Sequence, residues 1–178
     1  AGPPGAYSEA RLIAADRLVP LPDGVRDEQA AAMMLKGLTV WYLTRKTYRV
    51  VSGETILFHA AAGGVGLIAC QWLKALGATV IGTVSTPEKA EVAKSYGCDH
   101  TIIYTKEDFT EKVLDITNGQ KVPVVFDSVG KDTFRGSIAC LKPRGLMCVF
   151  GNGSGPVESF NVNDLAPGSF YLTRPTLM

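Results

Sequence analysis

The 178 residues carry 46% hydrophobic and 20% charged side chains with 19 glycines, an ordinary globular composition that excludes a disordered or collagen-like chain. Eighteen Lys and Arg against 17 Asp and Glu leave a formal charge of +1, so neither a nucleic-acid surface nor a membrane-binding surface is expected. The apolar runs fall short of the ~20 residues of a membrane helix, and no basic-then-apolar signal segment opens the chain.

The chain opens at Ala1 and stops at Met178 directly after a strand-like run, which reads as a piece of a longer protein. Residues 1–23 are irregular, alternate weakly from Ala6 to Ala14, and end in the turn residues Pro20, Pro22 and Gly24. They are expected to be strands whose partners lie elsewhere. Arg26 to Tyr48, rich in Ala, Met and Leu, predicts a helix pair with a possible break at Gly37.

From Glu54 the pattern becomes strand, turn, helix, repeated. Thr55–His59 predicts a buried strand and Gly64–Leu76 an apolar helix stopped by Gly77. Thr79–Val84 is the second strand, and Pro87–Tyr96 a helix with Pro in the first helical position. Thr101–Tyr104 and Asp108–Thr117 follow as strand and helix. Val122–Asp127 is a strand tolerating Pro123 near its start, Thr133–Leu141 a helix, and Gly145–Phe150 and Ser169–Thr173 the last two strands. This alternation predicts an α/β fold, a Rossmann-type doubly wound six-stranded parallel sheet.

The most informative stretch is His59 to Gly66, where a strand gives way to a helix through Ala-x-Gly-x-x-Gly. Ala61 stands where the dinucleotide fingerprint usually begins with Gly. Glycine lets the backbone approach a pyrophosphate, and the N–H groups of Gly64 and Val65 would point at it with the helix dipole. A packing turn is the alternative. An NAD site places Asp or Glu about 20 residues further on. Counting from Gly63 reaches Thr83, and no acid occurs from Thr79 to Pro87. Ser85 and Lys89 supply a hydroxyl and an ammonium instead, which favours NADP(H); a merely solvated Lys89 is the alternative.

Tyr104, Asp127-Ser128 and Phe150–Asn152 follow later strands, at the ends where such sheets receive ligands. Asp127–Gly130 would equally serve to cap the next helix, and Phe150 to fill the core. His59 is expected to be a satisfied buried imidazole and His100 an exposed side chain; neither has metal-ligand spacing to another His or Cys. Cys70, Cys98, Cys140 and Cys148 form no C-x-x-C pair and read as reduced core thiols of a cytoplasmic protein. No metal site, no serine nucleophile and no obligatory catalytic acid or base is expected, since a nicotinamide carries its own chemistry.

Leu35–Val40, Phe58–Trp72, Val125–Gly130, Arg144–Met147, Phe150–Asn152 and Tyr171–Pro175 together resemble the zinc-free, zeta-crystallin-like quinone oxidoreductases of the medium-chain dehydrogenase/reductase superfamily. The resemblance implies an NADPH-dependent reductase of quinones. It implies pyrophosphate contacts at Gly64 and Val65, and an adenosine 2′-phosphate group at Ser85, Lys89 and Tyr104. Thr39 and Tyr42 would lie near the nicotinamide ribose and its phosphate. Ser128, Phe150, Gly151 and Asn152 would wall the nicotinamide half, closed by the run through Leu177. It further implies that residues 1–23 are the last strands of a mostly absent GroES-like catalytic domain, that 24–178 form the nucleotide-binding domain, and that a homodimer pairs edge strands Ser169–Thr173. An enone or alkenal reductase on the same scaffold, or a non-catalytic crystallin-like or RNA-binding relative, are the other readings.

Overall fold

The structure is a computed structural model that describes residue 5 and residues 7–177. From Asp27 onward the chain lays down α1 (Asp27–Tyr42), a π-turn (Leu43–Thr47), β1 (Thr55–Phe58), α2 (Gly64–Ala75), β2 (Thr79–Val84), α3 (Pro87–Ser95) and β3 (His100–Ile103). The second half adds α4 (Phe109–Ile116), β4 (Val122–Asp127), α5 (Phe134–Ala139), β5 (Leu141–Val149), a 3₁₀ segment (Val162–Gly168) and β6 (Tyr171–Thr173). All six strands are parallel, in the order β3-β2-β1-β4-β5-β6. This is the doubly wound dinucleotide-binding order, with its direction reversing between β1 and β4.

The core lies on both faces of the sheet, so the central strands are mostly apolar rather than alternating. On one face Ile56, Phe58, Val80, Val124 and Phe126 meet Val40 of α1, Ala69 and Leu73 of α2 and Ala93 of α3. On the other, Leu57, Ile81, Val125 and Met147 meet Val113 of α4 and Phe134 of α5. All six residues of β4 are buried.

Several expectations shift. Gly37 does not break the first helix: α1 runs through it to Tyr42, and nothing lies within 4 Å of where its Cβ would be. A single helical glycine costs about 1 kcal/mol, which its Ala, Leu and Met neighbours outweigh. Leu141 belongs to β5 rather than to α5. It pairs with Val122, and the register then jumps to Val124↔Leu146 across Pro123. Lys142–Arg144 bulge outward there, exposed, with Arg144 at φ 62. Strand β6 is shorter than expected because Ser169 is left-handed (φ 49) and caps the 3₁₀ segment. Among the described residues of 5–23 no strand forms; the chain is exposed, with one 3₁₀ turn at Ala15–Arg17. Weak alternation alone cannot make a strand without a partner to bond. Part of that stretch, residues 1–4 and 6, lies outside the described residues.

Candidate functional site: a nucleotide crevice

At the end of β1 the His59 N–H donates to Phe126 O (3.0 Å) and the Ala61 N–H to Thr83 O (3.0 Å), extending the sheet on both sides. Ala60 between them takes a left-handed conformation (φ 54), and the chain turns as the Gly63 N–H donates to Ala60 O at 2.9 Å. Helix α2 then starts at Gly64 with Gly63 as its cap and no capping side chain. Its first N–H groups, including those of Gly64 and Val65, therefore stand free of intrahelical and side-chain partners at the positive end of the helix dipole.

The glycines divide the labour. A Cβ on Gly66 would sit 2.5 Å from the Ala61 carbonyl oxygen and closer still to that of Ala60, so this glycine is demanded by packing. A Cβ on Gly64 would meet only the stem of Lys36. Ala61, the departure from the usual fingerprint, is accommodated by Gly82 on β2: a Cβ there would lie 2.5 Å from the Ala61 methyl and 2.6 Å from Cys98 Sγ.

Behind the turn, His59 is fully buried and bonded at both ring nitrogens, Nδ1 with Thr83 Oγ1 at 2.9 Å and Nε2 with Ser137 Oγ at 2.8 Å. Its ring meets Phe109 edge-on at 5.0 Å. Burial pulls its pKa down from the ordinary histidine value, against the opposing pull of the Asp127 carboxylate. The imidazole joins β1, β2 and α5, the satisfied core histidine expected. Thr83, where the count placed the NAD acid, is 1% exposed and spends its hydroxyl on His59. The residue that emerges at the strand end is Ser85.

There Lys89 Nζ donates to Ser85 Oγ at 3.0 Å, and Thr105 Oγ1 donates to Ser85 O at 2.9 Å. Tyr104, the first residue past β3, is 48% exposed. It borders a cavity of about 550 Å³ that reaches Val129 and Ser154, beyond the ends of β4 and β5. Glu88 makes no ion pair with Lys89 among the described residues. The Thr86 hydroxyl and Glu88's own backbone N–H hold its carboxyl below the usual range, with Lys106 adding to the effect.

Most of the remaining predicted residues meet across a cavity of about 350 Å³: Thr39 and Tyr42 from α1, Val65 from α2, Ser128 after β4, Phe150 and Gly151 after β5, and Leu177. Gly151 is required, since a Cβ would lie 2.6 Å from Ser128 O. Phe150 stacks at 5.7 Å on Phe58, and its N–H donates to Asp127 O at 2.7 Å. Burial raises the Tyr42 pKa, as does Cys148, while Arg174 opposes them.

Asn152 is not brought to this cavity. It is exposed and lines a neighbouring one of about 320 Å³ beside Val149 and Leu172. Asn152 begins the next turn, accepting at its carbonyl from the Gly155 N–H at 3.0 Å. Arg174 lines both cavities and was missed by sequence reasoning; its signal was a cation following a strand with no acid nearby in sequence. Asp127 is a turn-builder: fully buried, its Oδ1 accepts from the N–H groups of Val129 (2.7 Å) and Gly130 (3.0 Å) and its Oδ2 from Thr133 Oγ1 (2.8 Å).

Comparison with known proteins places this geometry. The zinc-binding dehydrogenase family matches residues 64–175. The quinone oxidoreductase of Pseudomonas aeruginosa is 60% identical over 177 residues, covering 99% of this chain and 54% of its own. Quinone oxidoreductase 1 of Escherichia coli is 56% identical, covering 97% and 53%. The solved Escherichia coli quinone oxidoreductase complexed with NADPH superposes with a TM-score of 0.89 over 91% of this chain and 50% of that one. A solved 2-haloacrylate reductase, 49% identical, gives 0.93 over 98% and 56%. The chain spans about half the length of the curated relatives it matches.

The zinc in the family's description does not fit the residues present. Among the described residues no group of three or more His, Cys, Asp or Glu could hold a metal ion. Burial pushes the thiols of Cys140 and Cys148 up to about 12. With its six-stranded order, its glycine turn and the match over residues 64–175, the chain belongs to the zinc-binding dehydrogenase family, among homologues of quinone oxidoreductases.

Proposed function

We propose that this chain is the cofactor-binding part of an NADPH:quinone oxidoreductase. One observation carries the cofactor choice: the end of β2 offers Ser85 and Lys89, bonded to each other at 3.0 Å, with no carboxylate between Thr79 and Pro87. A 2′-phosphate satisfies that hydroxyl and ammonium, whereas a bare 2′-hydroxyl would forgo the charge. Gly64 and Val65 present backbone N–H groups to the pyrophosphate, and Tyr104 flanks the adenosine. Thr39 and Tyr42 hold the nicotinamide ribose and its phosphate, while Ser128, Phe150, Gly151 and Leu177 shape the nicotinamide half, with Asn152 at its rim. The nicotinamide supplies a hydride when bound; the chain orients it and screens one side from water. Similarity to quinone oxidoreductases, one of them complexed with NADPH, supports the substrate and the cofactor.

Titration with NADPH and NADH, wild type beside Lys89→Ala, tests this directly. A preference for NADPH that disappears in the variant is expected; equal binding of both by the wild type would sink the assignment. Similarity to 2-haloacrylate reductase favours reduction of an activated alkene as the second reading, and rates with a quinone against a haloacrylate, measured on the full-length enzyme, separate the two.

The same reading makes residues 1–23 the end of a GroES-like catalytic domain and 24–178 the nucleotide domain. It pairs two copies through the sheet edge at β6, where Tyr171 and Leu172 are exposed. Monomeric sedimentation of the full-length protein would count against that pairing. It also places the protein in the cytoplasm, where the four free cysteines stay reduced; fractionation of cells checks this. No helix among the described residues is long and apolar enough to cross a membrane.

A further inference from the structure

Lys36 projects from α1 across the start of α2. Its stem lies where a Cβ on Gly64 would be, with Cε 2.6 Å and Nζ 3.5 Å from that point. Its ammonium donates to Ala32 O, one turn back on its own helix, at 3.0 Å, and no carboxylate pairs with it among the described residues. A cation at this place is electrostatically wrong for the helix it touches. The first turn of α2 is the positive end of the dipole, its cap is a glycine without an acceptor, and no acidic residue stands in that turn. Two positive features therefore lie side by side at the start of α2, and an anion that reaches both satisfies both.

We propose that Lys36 is a binding residue for the cofactor's pyrophosphate, beside the backbone N–H groups of Gly64 and Val65. This rests on the dinucleotide reading of the crevice. The ammonium exchanges its bond to the Ala32 carbonyl for a charge-assisted bond to phosphate, the stronger of the two. The glycine at 64 then has a second purpose: it seats the lysine stem, so that the cation is placed before the ligand arrives. Lys89 reads the 2′-phosphate and thereby discriminates between the two dinucleotides. Lys36 reads the group that both share.

The test is calorimetric titration of wild type, Lys36→Met, Lys36→Arg and Lys89→Ala with NADPH, NADH and adenosine 2′-monophosphate. Lys36→Met keeps the stem and deletes the charge. It is expected to weaken NADPH and NADH by the same factor, about tenfold. Adenosine 2′-monophosphate, which lacks the pyrophosphate, should bind it as it binds the wild type, and Lys36→Arg should restore most of the dinucleotide affinity. Lys89→Ala should show the opposite pattern, losing NADPH and the monophosphate while sparing NADH. Wild-type affinity for both dinucleotides in Lys36→Met overturns the proposal, as does an equal loss of adenosine 2′-monophosphate, which would mark a general disturbance of the fold. A wild type that binds adenosine 2′-monophosphate but neither dinucleotide also overturns it. A wild type that binds none of the three overturns the cofactor reading itself.

Discussion

The two ends of the crevice are made in opposite ways. At the glycine turn the site is backbone: N–H groups held by a strand end, a left-handed Ala60, and a Gly66 that the carbonyls of Ala60 and Ala61 leave no room to enlarge. At the Ser85–Lys89 corner it is side chain, a half-buried hydroxyl and an exposed ammonium. The first end cannot be altered without disturbing the sheet; the second can be rewritten at the surface. On the proposed reading, general affinity for a dinucleotide belongs to the fold, and the choice among dinucleotides to a few replaceable side chains.

The sharpest way to break this contrast is at Gly66. Gly66→Ala puts a methyl into the carbonyls of Ala60 and Ala61 and should cost about 3 kcal/mol, the upper range for overpacking. A urea melt within about 1 kcal/mol of wild type would show that the turn is softer than its geometry implies. Next comes the support behind the turn. Thr83→Val removes the hydroxyl facing His59 Nδ1 and leaves a buried ring nitrogen unpaired, an expected loss of about 2 kcal/mol. An unchanged melt would remove His59 from the scaffold of the turn.

The same histidine gives the fold a pH signature. Its folded pKa lies below the unfolded value, near 6.5 for a free histidine, so as pH falls the unfolded chain takes up the proton first. Stability contributed by the neutral ring is complete above about pH 6.5 and is lost progressively below it, toward the folded pKa. His100, the other histidine, is exposed. A melting temperature that stays level between pH 7.5 and 5.5 would contradict this. At the side-chain end, Lys89→Ala should change stability by less than about 0.5 kcal/mol while lowering NADPH affinity about tenfold to a hundredfold. A large stability loss there would erase the distinction between the two ends.

Legibility in the sequence followed the same division. Val122–Asp127 was readable because a strand buried on both faces is mostly apolar, and the turn at Gly63–Gly66 because its spacing follows a strand and opens a helix. The count to Thr83 rightly found no acid, but not that Thr83 itself turns inward, because counting residues does not say which way a strand side chain faces; its partner, His59, is 24 positions away. Leu141 was hidden in β5 because its pairing with Val122 is separated from the rest of the strand by a bulge that no periodicity announces. Arg174 and the displacement of Asn152 depend on how loops after β5 and β6 close against each other, which is tertiary information. The segment before Asp23 alternated like a strand, but pairing depends on a neighbour that local pattern does not contain.

Gly82 and Ala61 leave a mark on the history open to this fold. A methyl at position 82 collides with the one at 61 and also with the sulfur of Cys98, so no single substitution can enlarge residue 82. Ala61→Gly, together with a smaller residue at 98, would clear the space that a side chain at position 82 needs. The three positions drift as a set, and their route to any other combination runs through a chain that is briefly all small at the crossing of turn, strand and loop. With alanine at 61 and cysteine at 98, position 82 of the neighbouring strand has room for glycine alone.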